Sequence, residues 1–329
     1  MTNENKPFFS VVIPLYNKEN YVKETIRSVV EQSFRGFEIV VVDDGSTDNS
    51  VDVVQTIDDP RIRIIRQKNA GVSVARNRGI KEAKADYIAF LDADDIWLPK
   101  FLQTIYELIQ KHPEAGLYAT ARKLRKANSE EIGINLKSLP SKEYQGIVPD
   151  YFKSMTLGDN LVWTSATCIP KKVFIENDIW FPVGEKYGED THVWIRVAMQ
   201  FDIAYDSKVC SVYKIETENN TVEIARKEKE LPRSILILDN YRNIIKNNEK
   251  LKYYDMYIEK RRALIIRRNI LNGEKVYALN QIFKHKISPI NKLKLLTLIV
   301  IPKFCFDCLR KIKRRSKIVG LGLKIKGNK

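Results

Sequence analysis

Apolar and β-branched residues run almost without interruption from Phe8 to Leu15, a pattern that predicts a strand buried on both faces. The run closes in the loop Pro14-Leu15-Tyr16-Asn17, after which Val22, Ile26, Val29 and Val30 recur at helical spacing within Tyr21 to Gln32. A second buried strand is predicted from Phe37 to Val42. It ends in Asp43-Asp44-Gly45-Ser46-Thr47-Asp48, a cluster of turn and cap residues, and Ser50 to Ile57 returns to the helical period. Ile62 to Arg66 reads as a third strand and Val72 to Ala83 as a third helix. Tyr87 to Leu91 reads as a fourth strand that runs into Asp92-Ala93-Asp94-Asp95. Strands alternating with helices predict an α/β fold, a Rossmann-like, mostly parallel sheet with helices on both faces. In such a sheet ligands bind beyond the carboxyl ends of the strands, so the Asn17, Asp44 and Asp92 to Asp95 loops are expected to converge.

Beyond Pro99 the pattern predicts a helix from Lys100 to Lys111 and a strand from Leu117 to Lys123, then an irregular stretch from Lys126 to Ser141. Leu161 to Ile169 reads as a strand and Val173 to Asn177 as a short helix. Gly188-Glu189-Asp190 introduces an amphipathic helix from Thr191 to Gln200, and Ala204 to Tyr213 reads as a closing strand. From Glu223 onward the pattern is helical and increasingly basic. The expected organisation is one domain over 1–221, with halves of about 8–98 and 99–221, followed by a helical region over 222–329.

The net charge of +15 changes meaning once it is located, because Lys284 to Lys329 carries 14 Lys and Arg against the single acid Asp307. The body before Lys284 is therefore nearly neutral, which argues against a nucleic-acid groove and for a basic tail drawn to anionic lipid. Leu231 to Asn272 reads as two or three helices and Ile287 to Leu309 as an amphipathic segment. The basic run Lys311, Lys313, Arg314, Arg315 and Lys317 follows, a pattern that fits a helix lying in a membrane interface. No stretch reaches the ~18 apolar residues that span a bilayer, and Met1 to Pro7 lacks the apolar core of an export signal. Four cysteines, Cys168, Cys210, Cys305 and Cys308, are too few for a disulfide framework in this length. These features predict a cytoplasmic protein, peripheral on the inner face of the membrane.

Asp92-x-Asp94, directly after a buried strand, is the most informative chemistry. Carboxylates one residue apart on a tight loop suit a hard divalent cation that takes its other ligands from water and substrate phosphates; a solvated acidic turn is the plainer alternative. Asp44 at the end of the second strand suits a hydrogen bond to a nucleobase or ribose, while Asp44, Ser46, Thr47 and Asp48 equally suit a helix start. Arg76 and Arg78 offer cationic forks for diphosphate oxygens, and Asn69-Ala70-Gly71 offers backbone N–H groups. Glu189 and Asp190 read either as caps favouring a helix N-terminus or as a base on the acceptor side of a transfer reaction.

Taken together, Ser10-Val11-Val12-Ile13-Pro14-Leu15-Tyr16-Asn17, Val42-Asp43-Asp44-Gly45-Ser46-Thr47-Asp48 and Asn69-Ala70-Gly71-Val72-Ser73-Val74-Ala75-Arg76-Asn77, with Asp92-Ala93-Asp94-Asp95 and Gly188-Glu189-Asp190, resemble family 2 glycosyltransferases of GT-A fold over roughly residues 8 to 215. The resemblance implies a metal-dependent, inverting transfer of a sugar from a nucleoside diphosphate, uridine by default, to a glycan or lipid-linked acceptor in cell-surface polysaccharide synthesis. It implies that Pro14, Tyr16 and Glu19 line the nucleotide site, that Asp44 binds the base and that Arg76 contacts the donor. Asp92 with Ala93 would hold the nucleotide sugar, Asp94 would ligate Mn²⁺ or Mg²⁺, and Asp190 would be the general base. Trp163, Thr164, Ser165 and Glu189 would fall where donor sugar meets acceptor. A nucleotidyltransferase would usually carry a glycine-rich phosphate loop after the first strand, and Pro14-Leu15-Tyr16-Asn17-Lys18 has none. A non-catalytic scaffold with a membrane-binding tail is the remaining alternative.

Overall fold

The computed structural model of this 329-residue chain describes residues 6–126, 128–133, 136–158, 160–185, 187–215 and 233–301. Its strands are β1 (Phe9–Leu15), β2 (Phe37–Asp43), β3 (Ile62–Arg66), β4 (Tyr87–Phe90), β5 (Ile96–Trp97), β6 (Leu117–Arg125), β7 (Glu131–Gly133), β8 (Gln145–Ile147), β9 (Thr167–Pro170) and β10 (Ile203–Lys214). They form one sheet in the order β3-β2-β1-β4-β9-β6-β10-β5, with β7 added on β6 and β8 on β10. The pairs β3–β2, β2–β1, β1–β4 and β6–β10 are parallel, whereas β9 runs antiparallel to both β4 and β6. Parallel strands covered on both faces need apolar side chains at nearly every position. That is why Phe9 to Leu15 and Phe37 to Val42 read as hydrophobic runs interrupted only by Ser10 and Glu38, and all but Pro14 are buried.

The covering helices are α1 (Val22–Val30), α2 (Ser50–Gln55), α3 (Val72–Glu82), α4 (Phe101–Lys111), α5 (Tyr151–Leu157), α6 (Lys171–Glu176) and α7 (Glu189–Gln200). Each predicted element of the first half is present, within one or two residues at its ends. Two segments differ from expectation. The predicted strand Leu161 to Ile169 is ladder-bonded only from Thr167, because Thr164–Ala166 forms a 3₁₀ turn. There the Arg122 guanidinium packs over the ring of Trp163, 4.4 Å from its centroid, and the Tyr213 ring meets it at 4.5 Å. The Ser165 hydroxyl accepts from the Asp92 N–H, so polar side chains tie this stretch to a loop instead of a neighbouring strand. The stretch predicted to be irregular contains β7.

The described residues divide into two compact units, one of residues 6–215 with 233–254 and one of residues 255–301. The expected boundary near Thr221 lies outside the described residues, as do Cys305, Cys308 and the basic run from Lys311. Residues 233–254 belong with the sheet: Ile235, Leu238, Ile245 and Tyr254 are buried, and the Tyr254 hydroxyl donates to the Leu238 carbonyl at 2.7 Å. The second unit contains most of the helix Asn248–Asn272, with Lys275–Lys284 and Pro289–Val300, around Ile266, Ile270, Ala278, Ile282, Ile287 and Leu295. Cys168 and Cys210 are buried free thiols, and among the described residues no helix is long and apolar enough to cross a membrane.

Helix α3 lies tightly on β1. A Cβ placed on Gly79 would stand 2.3 Å from Val12 Cγ1, and Val12 has no exposed surface into which to move. Alanine in a helix is favoured over glycine by roughly 1 kcal/mol, whereas overpacking a filled core costs about 1–3 kcal/mol. Gly79→Ala is therefore expected to lower the urea midpoint at an unchanged m-value, and an unchanged or raised midpoint would show that α3 can lift off β1 without cost.

Candidate functional site

Because β1, β2 and β4 are parallel, the loops after Leu15, Asp43 and Phe90 emerge on one edge of the sheet. They meet there with the 3₁₀ turn Thr164–Ala166 and the first turn of α7, around a cleft of about 380 Å³. Thirteen of the residues singled out in the sequence line it: Pro14, Tyr16, Asp44, Asn69, Gly71, Arg76, Asp92, Ala93, Asp94, Trp163, Thr164, Glu189 and Asp190. Glu19, Arg78 and Ser165 do not, and Arg78 pairs with Glu82 on its own helix at 2.8 Å. Glu19 accepts from the backbone N–H and the side-chain amide of Asn49, both at 2.9 Å, and so braces the loop from outside. Ser165 is buried behind the cleft, where its hydroxyl donates to Asp95 at 2.5 Å and its carbonyl accepts from the Trp97 indole.

The loops hold one another. Asn17, in the left-handed region at φ 50°, accepts from the Thr47 N–H at 2.8 Å. Its own N–H donates to Ser46, the Lys18 N–H to Ser50 and the Glu19 N–H to Asp48. The cap residues of the second motif thus serve the first as well as their own helix. The Asp92 to Asp95 turn is pinned from α1, whose buried Thr25 hydroxyl contacts the carbonyls of Ala93 and Asp95 at 2.9 and 2.8 Å. Asp44 holds the segment before α3: one carboxylate oxygen accepts from Gln67 and the Ala70 N–H, the other from the Gly71 N–H at 2.8 Å.

Arg76 is the centre of the arrangement. It is buried, and its two terminal nitrogens donate to Asp92 and to Glu189, each at 2.7 Å. Burial alone would favour losing its proton, but Asp92 and Glu189 outweigh that and hold the guanidinium more firmly charged than usual. Burial pushes the Asp92 and Glu189 carboxyls above the ordinary carboxylate range. Arg76 opposes this in both, while Asp94 adds to it at Asp92 and Asp190 adds to it at Glu189. Asp95 is pushed well above that range by burial and then by Asp94 and Asp92. Behind Trp163, burial pulls Arg122 down to about 10.

Glu189 and Asp190 open α7 directly after Gly188, whose φ of 79° is open to glycine at little steric cost. Asp190 Oδ1 accepts from the Thr191 N–H at 2.5 Å and from its hydroxyl at 3.2 Å, while Oδ2 takes the 3.3 Å bond from Thr164. Lys18, on the first loop, donates to Asp94 Oδ2 at 2.7 Å. Among the described residues no cluster of three or more His, Cys, Asp or Glu side chains closes on one point. Asp92 and Asp94 offer oxygen donors of the kind that a hard cation takes. Five carboxyl groups and two basic side chains line the cleft, an excess of acidic groups.

Lys18, Thr25, Asp95 and Arg122 were not identified as site residues from sequence. For Lys18 the signal was its place beside Asn17 in the first motif. The partners of the others lie tens of residues away.

Residues 10–159 match the family model described as Glycosyl transferase family 2. An uncharacterized glycosyltransferase of Rickettsia felis is 31% identical over 214 residues, which cover 64% of this chain and 34% of the relative. TuaG of Bacillus subtilis, a putative teichuronic acid biosynthesis glycosyltransferase, is 40% identical over 114 residues, 34% of this chain and 45% of that protein. The chain spans about a third of the length of the first curated relatives it matches. Among solved structures, S. aureus TarS 1–349 in complex with UDP-GlcNAc superposes with a TM-score of 0.62 at 21% identity, covering 84% of this chain and 80% of that one. Residues 10–159 are thus similar to family 2 glycosyltransferases, and the sheet and its helices have the GT-A fold.

Proposed function

We propose that the chain is an inverting, metal-dependent transferase that moves a sugar from a uridine diphosphate donor to a hydroxyl of a glycan or lipid-linked acceptor. The reading places it in cell-surface polysaccharide synthesis, at the inner face of the membrane. The observation that carries it is the ion-paired fork of Arg76, which brings the Asp92 turn and the Glu189–Asp190 turn to one cleft. The name of TuaG supports a wall-polymer product, and the complexes of TarS with UDP-GlcNAc and UDP support the choice of donor.

In this reading Asp44 and the Tyr16 loop hold the nucleoside. Asp94, with Asp92 beside it, would hold Mn²⁺ or Mg²⁺, which when bound screens the charge that builds on the departing diphosphate. Asp190 faces the acceptor and takes the hydroxyl proton on Oδ2, the oxygen less engaged by its own helix. The hydroxyl oxygen forms its bond to the anomeric carbon on the face opposite the diphosphate. The old carbon–oxygen bond breaks with its electron pair leaving on the diphosphate. Thr164 and Trp163 position the sugar between these groups.

A panel of uridine, guanosine and thymidine diphosphate sugars, assayed for nucleotide release with Mn²⁺ and with chelator, tests the reading. One uridine donor should be hydrolysed slowly, and the hydrolysis should vanish with chelator and in Asp94→Ala. No release and no binding of any donor would sink it. Asp190→Asn should lower transfer by about 10²–10⁴-fold while leaving donor affinity nearly intact, because a general base acts only on the proton in flight; equal loss of both would assign Asp190 to binding.

Lys18 gives a separate prediction. Its ammonium neutralises the carboxylate proposed to hold the metal, so Lys18→Met should tighten Mn²⁺ binding in the absence of nucleotide and weaken UDP binding in the presence of chelator. Spin-resonance titration of free Mn²⁺ reads the first effect and calorimetry the second. Weaker metal binding in the variant would mean that Lys18 supports the site and does not compete for it.

A further inference from the structure

The second compact unit carries apolar surface that its own core does not use. Helices Lys275–Lys284 and Pro289–Val300 turn Ala278, Ile282 and Leu295 inward, onto Ile266 and Ile270 of the long helix. Their other sides are also apolar. Val276, Leu279 and Phe283 follow one another at helical spacing with 78%, 38% and 65% of their surfaces exposed, and Ile290, Leu293 and Val300 do the same at 68%, 67% and 81%. Single exposed apolar residues are ordinary, but two such stripes on neighbouring helices mark an interaction surface.

The two helices are fixed as a pair. Lys275 Nζ donates to the carbonyls of Ile299 and Ile301 at 2.6 and 3.0 Å, closing the end of the second helix onto the start of the first. Lys292 Nζ lies 5.9 Å from the centroid of the Phe283 ring, so the exposed edges of the two stripes adjoin. Glu259 holds the start of the second helix by accepting from Ser288 and Asn291.

Charge decides what covers this face. From Lys275 to Ile301 there are five lysines and no Asp or Glu, and Lys284, Lys286 and Lys294 are exposed among the apolar side chains. A second copy of the face would bring like charges together. So would the tail 302–329, whose sequence holds ten Lys and Arg against Asp307. A surface that offers hydrocarbon and phosphate at the same depth satisfies both kinds of side chain, and that is the interface of an anionic bilayer.

We propose that the paired stripes Val276–Leu279–Phe283 and Ile290–Leu293–Val300 are a membrane-docking face that enters the headgroup region of an anionic bilayer, with the intervening lysines on lipid phosphates. This deepens the peripheral location in the proposed function and rests on that part of it alone. It assigns the attachment to two ordered helices, with the basic tail as an auxiliary.

The test is co-sedimentation of the full chain with vesicles of phosphatidylglycerol and phosphatidylcholine, and with vesicles of phosphatidylcholine alone. Wild type is expected to partition onto the mixed vesicles and to be released by raised salt. Phe283→Ser with Leu293→Ser should lower that partitioning by about tenfold or more, and Lys286→Glu with Lys294→Glu should lower it in the same direction, both at unchanged melting temperature. Vesicle binding that survives the apolar pair would assign attachment to the tail and overturn the proposal. So would absence of binding by the wild type, or light scattering in which the apolar pair turns a dimer into a monomer. Nucleotide release measured without vesicles reads the catalytic proposal independently, so failure of one is distinguishable from failure of the other.

Discussion

The site depends on a single buried guanidinium. Asp92 and Asp94, Glu189 and Asp190 are pairs of carboxylates brought together in one cleft, where burial alone would drive some of them to take up protons. Arg76 lies between the two pairs, bonded to Asp92 on one side and, across 113 residues of sequence, to Glu189 on the other. A planar fork with two donating ends can hold two carboxylates at a fixed separation, which a lysine ammonium cannot do in the same way. Arg76 can occupy that point because α3 lies almost against β1, at the distance that Gly79 permits over Val12. The packing of a helix on a strand thus sets the geometry of the acidic cleft.

Around this centre the loops are interlocked. The motif after β2 supplies hydroxyl and carboxylate acceptors to the motif after β1, and Asp44 fixes the backbone before α3. Thr25 and Ser165 hold the Asp92 to Asp95 turn from two sides. Positioning groups of this kind keep charged side chains in place without entering the cleft. In the proposed function, the negative balance of the lining means that a cation strengthens the binding of a diphosphate.

Most of the platform was legible in the sequence because buried parallel strands impose a nearly unbroken apolar run, and β1 through α3 fall within one or two residues of the predicted bounds. The convergence of Asp44, Asp92 and Asp94 followed from the parallel direction of the strands. What escaped was whatever depends on distant partners. Leu161 to Ile169 has the composition of a strand, and the contacts of Trp163 with Arg122 and Tyr213 and of Ser165 with Asp92 accompany the turn at Thr164 to Ala166. Glu19 reads as a ligand-facing acid but is spent on Asn49, and Ser165 reads as a lining residue but lies beneath Asp92. Lys18 is one more lysine in a basic chain until its ammonium is found on Asp94. The assignment of residues 233–254 to the sheet's unit rests on Tyr254 and its burial partners, which no local pattern reveals.

In the proposed function, the carboxylates gathered by Arg76 make nucleotide affinity depend on a divalent cation. Calorimetric titration of UDP into the wild-type chain, with Mn²⁺ and then with chelator, tests it most directly. The account predicts strong coupling, with UDP affinity raised by Mn²⁺ and Mn²⁺ affinity raised by UDP through the same factor, as linkage requires. Equal UDP affinity in the two conditions would contradict it, and would mean that the carboxylates around Arg76 serve the architecture of the cleft and not a metal-bound diphosphate.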